Sequence, residues 1–139
     1  MLYRIASGLL LLFAIGHTIG FRQADPQWRV ESLVASMRTT RFDVQGFSRT
    51  YWDFFVGSGF FVSAFLLFAA ILAWQLGGQS QQTLKVLSTV TWALAILFVG
   101  LTVLSWIYLF IVPVVFSALI SFCLIAAAWL ARRREGISS

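Results

Sequence analysis

The chain has 139 residues, of which 60% are hydrophobic and 11% charged, against about 45–50% and about 25% in an ordinary soluble domain. That is the composition of an integral membrane protein. The net charge of +5 would suggest nucleic acid in a soluble chain, but here the basic residues bracket apolar spans and read as topology determinants and headgroup contacts, which excludes nucleic acid as a partner.

Residues 2–21 are almost wholly apolar, and about 20 residues of helix cross the roughly 30 Å core of a bilayer. This stretch, with its one early arginine, resembles a secretory leader; the expectation is a retained first span. The loop that follows, 22–51, is the one sizeable segment outside the spans. Asp25-Pro26 reads as an N-cap followed by proline at the first helical position. Val30, Leu33, Val34 and Met37 then recur at helical spacing, predicting an amphipathic surface helix over 26–38. Asp43 to Gly46 reads as a turn leading back to the membrane.

The second span is 52–76, closed by Gly77-Gly78 and a polar turn. From Val86 to Ala131 no charged residue appears, a run that as one helix would be about 69 Å long. Pro113 is the expected break, giving a third span at 86–110 and a fourth at 113–131. The predicted fold is therefore all-α: a four-helix transmembrane bundle with a short amphipathic surface helix in the first loop, forming one domain over 1–139. Arg132, Arg133 and Arg134 directly after the last span are the densest basic cluster, and the positive-inside rule then places both termini in the cytoplasm of a bacterial inner membrane. Tyr3, Trp74 and Trp129 fall at one set of span ends and Tyr51, Trp52, Trp106 and Tyr108 at the other, as interfacial aromatics do.

Few residues offer chemistry. The single histidine, His17, stands about one turn inside the first span, where ionisable groups usually face protein or water. Its structural alternative is an interhelical hydrogen bond, with Gly16 and Gly20 allowing close approach of another helix. Asp53 and Asp43 are candidate partners that would orient His17 as an acid/base. Asp53 equally completes a capping box with Thr50, and Arg49 stands four residues before it, at helical pairing distance. Arg38, Arg41 and Arg49 with Tyr51 and Trp52 are candidate ligand-binding residues, since guanidinium groups match phosphate oxygens. One histidine and one span-buried cysteine, Cys123, cannot supply a metal site, and no cofactor is expected. No acidic residue lies near the middle of a span, so a proton-coupled carboxylate is missing. Gly57 and Gly59 with Ser63, and Ser117 with Ser121, are further expected close-contact faces.

"GHTIGF" (16–21) followed by "MRTTRFDVQGFSRTYWDFFVGSGFF" (37–61) resembles a group of small bacterial four-span membrane proteins of uncharacterised function. The matching motifs are Gly16-His17-Thr18, Arg41-Phe42-Asp43 and Ser48 to Phe54. The resemblance implies membership but no activity. More loosely, four spans with polar residues toward one face are similar to DoxX-like and sterol-isomerase-like membrane folds.

Three functional classes follow. The first is a non-catalytic membrane protein binding membrane lipid, a small apolar or anionic lipid-like ligand, or a partner, including a second copy of itself. The second is an intramembrane enzyme acting on a lipid or isoprenoid-like substrate with His17 as acid/base. A transporter is third. His17 and the "RFDVQGFSRTYWDFF" segment are expected to meet at one membrane face, with His17 and Asp53 at similar depth in a shared polar pocket.

Overall fold

The computed structural model describes residues 1–133; Arg134, the last of the predicted basic cluster, lies outside them. The protein is all-α apart from one small hairpin. In chain order it comprises α1 (Leu2–Gly20), a single 3₁₀ turn (Pro26–Trp28), α2 (Glu31–Thr39), β1 (Arg41–Val44), β2 (Phe47–Thr50), α3 (Tyr51–Leu76), α4 (Gln81–Val86), α5 (Ser88–Tyr108) and α6 (Ile111–Arg133). Four of these, α1, α3, α5 and α6, are long and apolar enough to cross a membrane, and the chain is an integral membrane protein. Large apolar side chains such as Phe61 and Phe122 stand 79% and 70% exposed, which a bilayer solvates and water does not.

The chain divides into two compact units. One takes Met1–Phe13 and the chain from Leu66 onward, and the other takes Ala14–Phe65.

The first unit is a helical bundle built from the start of α1, the end of α3, and α5 and α6. Its buried faces are narrow and small: Ala6, Ser7 and Leu10 on α1, Ala69, Ala70 and Ala73 on α3, Ala95 and Phe98 on α5, and Ser117, Ile120, Ser121 and Leu124 on α6. Lipid tails are as apolar as leucine, so helices here associate through close packing and polar contacts rather than through water exclusion. Ser7 accordingly donates to the Ala70 carbonyl at 2.8 Å, and Thr102 meets Ser121 at 3.3 Å between α5 and α6. Ser117 and Ser121 are buried, as their small size predicts, and return their hydroxyl protons to the Pro113 and Ser117 carbonyls at 2.7 Å each.

Proline explains the break between the last two spans differently from the sequence expectation. α5 ends at Tyr108, Leu109 is extended, and α6 begins at Ile111, so Pro113 lies inside the first turn of α6. The N–H groups of a first turn have no intrahelical partner, and a proline nitrogen loses nothing there. The start of the third span is also later than expected. Ser80 caps a separate short helix, α4, by accepting from the Thr83 amide at 3.2 Å, and α5 starts only at Ser88.

The second unit holds the end of α1, the loop segment and the start of α3. The surface helix expected over 26–38 is two pieces. Asp25 does cap its start, accepting from the Gln27 amide at 2.9 Å, but Arg29 turns left-handed (φ 52°) and closes the 3₁₀ turn. The helix restarts at Glu31, whose carboxylate suits the positive N-terminal end. Val30, Val34 and Met37 become half-buried while Leu33 stays 58% exposed.

The expected turn over Asp43 to Gly46 is a β-hairpin with Asp43 inside strand β1. Arg41 pairs with Thr50, Phe42 with Arg49, Asp43 with Ser48 and Val44 with Phe47. Gln45 (φ 51°) and Gly46 (φ 84°) form the two-residue loop, both with the positive φ of a type I′ turn, whose twist matches the strands it joins. Because directly paired residues share a face, Phe42, Val44, Phe47 and Arg49 lie on one side and Arg41, Asp43, Ser48 and Thr50 on the other. Phe42 packs tilted against the first turn of α3, with ring centroids 4.9 Å from Tyr51 and 5.5 Å from Phe54.

The hairpin runs straight into α3 through a capping box. The Asp53 amide donates to the Thr50 hydroxyl at 3.1 Å, and the Thr50 amide donates to the Asp53 carboxylate at 2.8 Å. Two donors that a helix start leaves unpaired are thereby satisfied reciprocally.

Candidate functional site

The end of α1 presents His17, Thr18 and Phe21 on one face, continuing the one-in-three-or-four spacing of Ala14. All three meet α3. The His17 Nδ1 lies 3.1 Å from the Ser63 hydroxyl, and the Thr18 hydroxyl lies 2.8 Å from that same oxygen. Thr18 also reaches back to the Ala14 carbonyl at 2.7 Å, and Ser63 to the Gly59 carbonyl at 3.2 Å. The result is a polar clasp between two helices in which each hydroxyl has more than one partner. The His17 ring stacks on Phe21 with centroids 5.2 Å apart and an interplanar angle of 17°. Phe21 in turn covers Gly59 so closely that a Cβ there would collide with its ring.

The expected glycine contacts are therefore redistributed. Gly16, Gly20 and Gly57 have nothing within 4 Å of the position a Cβ would take, whereas Gly59 is filled by Phe21. Close approach is made by an aromatic ring over a glycine, and not by two glycine faces.

His17 and Asp53 do not share a pocket. The partner of His17 is Ser63, which stands ten residues beyond Asp53 in the sequence, a rise of about 15 Å along α3. Asp53 is engaged by Thr50. Asp43 is an exposed strand residue facing Ser48. Neither carboxylate orients the imidazole, which general acid/base catalysis by a histidine ordinarily requires. The expected Arg49–Asp53 pairing is replaced as well: Arg49 donates to the Ser48 carbonyl at 3.0 Å and its guanidinium lies 5.2 Å from the centre of the Phe47 ring.

A clasp of this kind predicts a structural outcome for mutation. His17→Ala should lower thermal stability in detergent by about 1 kcal/mol, the scale of one interhelical hydrogen bond, and leave retained lipid unchanged. Loss of a copurifying ligand with stability intact would assign His17 to a binding site instead.

Three of the five arginines of the loop segment, Arg22, Arg38 and Arg49, stand over aromatic faces. Arg38 sits 4.3 Å from the centre of the Trp52 ring, and Arg22 lies 5.5 Å from Phe21 and 5.4 Å from Phe60. A guanidinium stacked on a ring keeps its in-plane N–H donors free to point outward. Tyr51 and Phe47 are 58% and 59% exposed beside these cations. Between the hairpin and α3 lies an open recess of about 410 Å³ lined by Val44, Gln45, Phe47, Arg49 and Phe54. Of the ligand-binding residues expected from sequence, Arg49 lines this recess and Tyr51 meets Phe42 of the same hairpin face, Arg38 stacks on Trp52, whose ring lies beside Phe55, and Arg41 lies on the opposite hairpin face. Thr18, Phe47 and Phe54 were not among the sequence candidates. The alternation Phe42-x-Val44 and Phe47-x-Arg49 across an x-Gly turn is the signal that identifies Phe47.

Among the described residues no group of histidine, cysteine, aspartate and glutamate side chains is arranged to hold a metal ion. No protein-family model, curated protein or solved structure matches the chain.

Proposed function

We propose that this is a non-catalytic membrane protein whose loop segment binds anionic lipid headgroups. The observation that carries the reading is the set of guanidinium groups held over aromatic rings, Arg38 on Trp52, Arg49 on Phe47 and Arg22 on Phe21 and Phe60, beside exposed aromatics at the mouth of a membrane-spanning helix. Rings at that level favour the headgroup region, and fixed cations beside them suit phosphate oxygens. The likeness of its sequence motifs to those of small bacterial four-span proteins fits this setting, and the run Arg132, Arg133 and Arg134 at the end of the last span favours cytoplasmic termini in a bacterial inner membrane.

The test is mass spectrometry of lipids that remain bound after purification in mild detergent. The proposal expects anionic phospholipid enriched over its share of the source membrane, with enrichment lost when Arg38 and Arg49 are both replaced by Gln. Retained lipid of the same composition as the membrane would contradict it. The enzymatic alternative, with His17 acting on a lipid or isoprenoid-like substrate, has no observation in its favour beyond the histidine itself.

A further inference from the structure

The hairpin has two edges, and the chain closes one of them. In an antiparallel ladder the residues of a non-hydrogen-bonded pair turn their backbone groups outward, away from each other. On β2 these outward groups are identified by what they meet: the Thr50 amide donates to the Asp53 carboxylate at 2.8 Å, and the Ser48 carbonyl accepts from the Arg49 guanidinium at 3.0 Å. Their ladder partners are Arg41 and Asp43, so β1 directs the backbone groups of these two residues to its own edge. Among the described residues no hydrogen bond reaches that edge, and Arg41 and Asp43 are both exposed. An open strand edge is a template for another strand, and a lone two-stranded hairpin gains stability from a third.

The sequence of β1 is complementary to itself. Laid antiparallel with Phe42 opposite Phe42 of a second copy, Arg41 falls opposite Asp43 and Asp43 opposite Arg41. These are the residues whose backbone groups point outward, so each such pair exchanges its hydrogen bonds and sets opposite charges side by side. The neighbouring registers that also match outward groups centre the pair on Arg41 or on Asp43, and so place like charges face to face. Charge thereby selects one register. The membrane supplies the right symmetry. β2 runs directly into α3, and the face carrying Phe42, Val44 and Phe47 is turned toward Tyr51 and Phe54 at the start of that span. With that face toward the bilayer and Arg41, Asp43 and Ser48 toward water, the sheet lies along the membrane surface, as an amphipathic surface element does. The two-fold axis of an antiparallel pair is perpendicular to the sheet, here along the membrane normal, the axis that copies of one orientation in one bilayer can share.

We propose that β1 pairs with β1 of a second copy of this chain, centred on Phe42, so that the two hairpins form one continuous sheet at the membrane surface. The contact is small for a protein interface, so association follows the density of protein in the bilayer. The pairing does not depend on the lipid-binding reading.

The test reads Förster transfer between full-length copies labelled separately with donor and acceptor at the N-terminal amine, in phosphatidylcholine vesicles at a series of protein-to-lipid ratios. Wild type should show transfer above that of random mixing. Arg41→Asp alone and Asp43→Arg alone set like charges at both pairs, and each should need about ten-fold more protein in the bilayer to reach half-association. Mixed together, these two variants are complementary again and should associate with each other as wild type does. The chain carrying both exchanges should behave likewise. Asp43→Pro should abolish association while the hairpin survives, because it removes an edge amide that the hairpin does not use; it decides the matter if an exchange variant does not fold. Wild-type transfer no greater than random mixing, single exchanges or an Asp43→Pro chain that associate like wild type, or single variants that stay apart when mixed would overturn the pairing. Phosphatidylcholine carries no net charge, so the result stands apart from any preference for anionic lipid.

Discussion

Gly59→Leu is expected to destabilise the protein by about 3 kcal/mol, the upper part of the range for overpacking a filled site, a fall in thermal midpoint on the order of 10 °C. The Phe21 ring occupies the place of the missing side chain, and Phe21 is itself hemmed by Phe60 in an edge-on contact at 5.5 Å and by Phe55 at 6.0 Å. The ring therefore has no easy retreat. Displacing it also disturbs its stack on His17 and, through His17, the clasp with Ser63. Gly16→Leu is the control. It enters open space and replaces a poor helix former, so it should be neutral or slightly stabilising. Thermal unfolding of both variants in detergent checks the pair. A larger loss for Gly16→Leu would restore the glycine-face packing that the sequence suggests.

That contrast marks where sequence reading stops. Span existence is legible because bilayer thickness sets a length that apolar runs either meet or miss. All four long helices follow from it. Which face of a span is buried is not legible, because a helix such as α3 is apolar on every side and carries almost no periodic signal. Gly57 and Gly59 look equivalent in the chain, and only the position of Phe21 separates them. The capping box at Thr50 and Asp53 is readable because it is local. The hairpin before it is harder, since its turn uses Gln45 where asparagine or aspartate would announce a type I′ loop. The expected 26–38 helix fails at Arg29, a residue with good helix propensity that the chain nevertheless holds left-handed. His17 stands out by its rarity, but its partner Ser63 lies far along the chain, and helical spacing carries no information between separate helices.

Replacing Arg38, Arg41 and Arg49 together with Gln should weaken binding of anionic lipid by about two orders of magnitude. Each basic residue at a membrane surface contributes about 1 kcal/mol toward anionic headgroups, roughly five-fold in affinity, and the three act on one surface charge. Arg38 and Arg49 also lose their stacking over Trp52 and Phe47, although glutamine keeps part of the side-chain length. Stability should change little, because exposed cations over rings contribute on the order of 0.5–1 kcal/mol each and the capping box, hairpin register and His17 clasp use other groups. A large fall in melting temperature would show instead that these arginines hold the segment together.

Titration of the purified protein with dihexanoyl phosphatidylglycerol and dihexanoyl phosphatidylcholine, followed by tryptophan fluorescence at low and high salt, tests headgroup recognition most directly. The account predicts tighter binding of the glycerol lipid, an advantage that shrinks as salt screens the exposed charges and disappears in the triple Gln variant. Equal affinity for the two lipids in wild type, unchanged by salt, would contradict it.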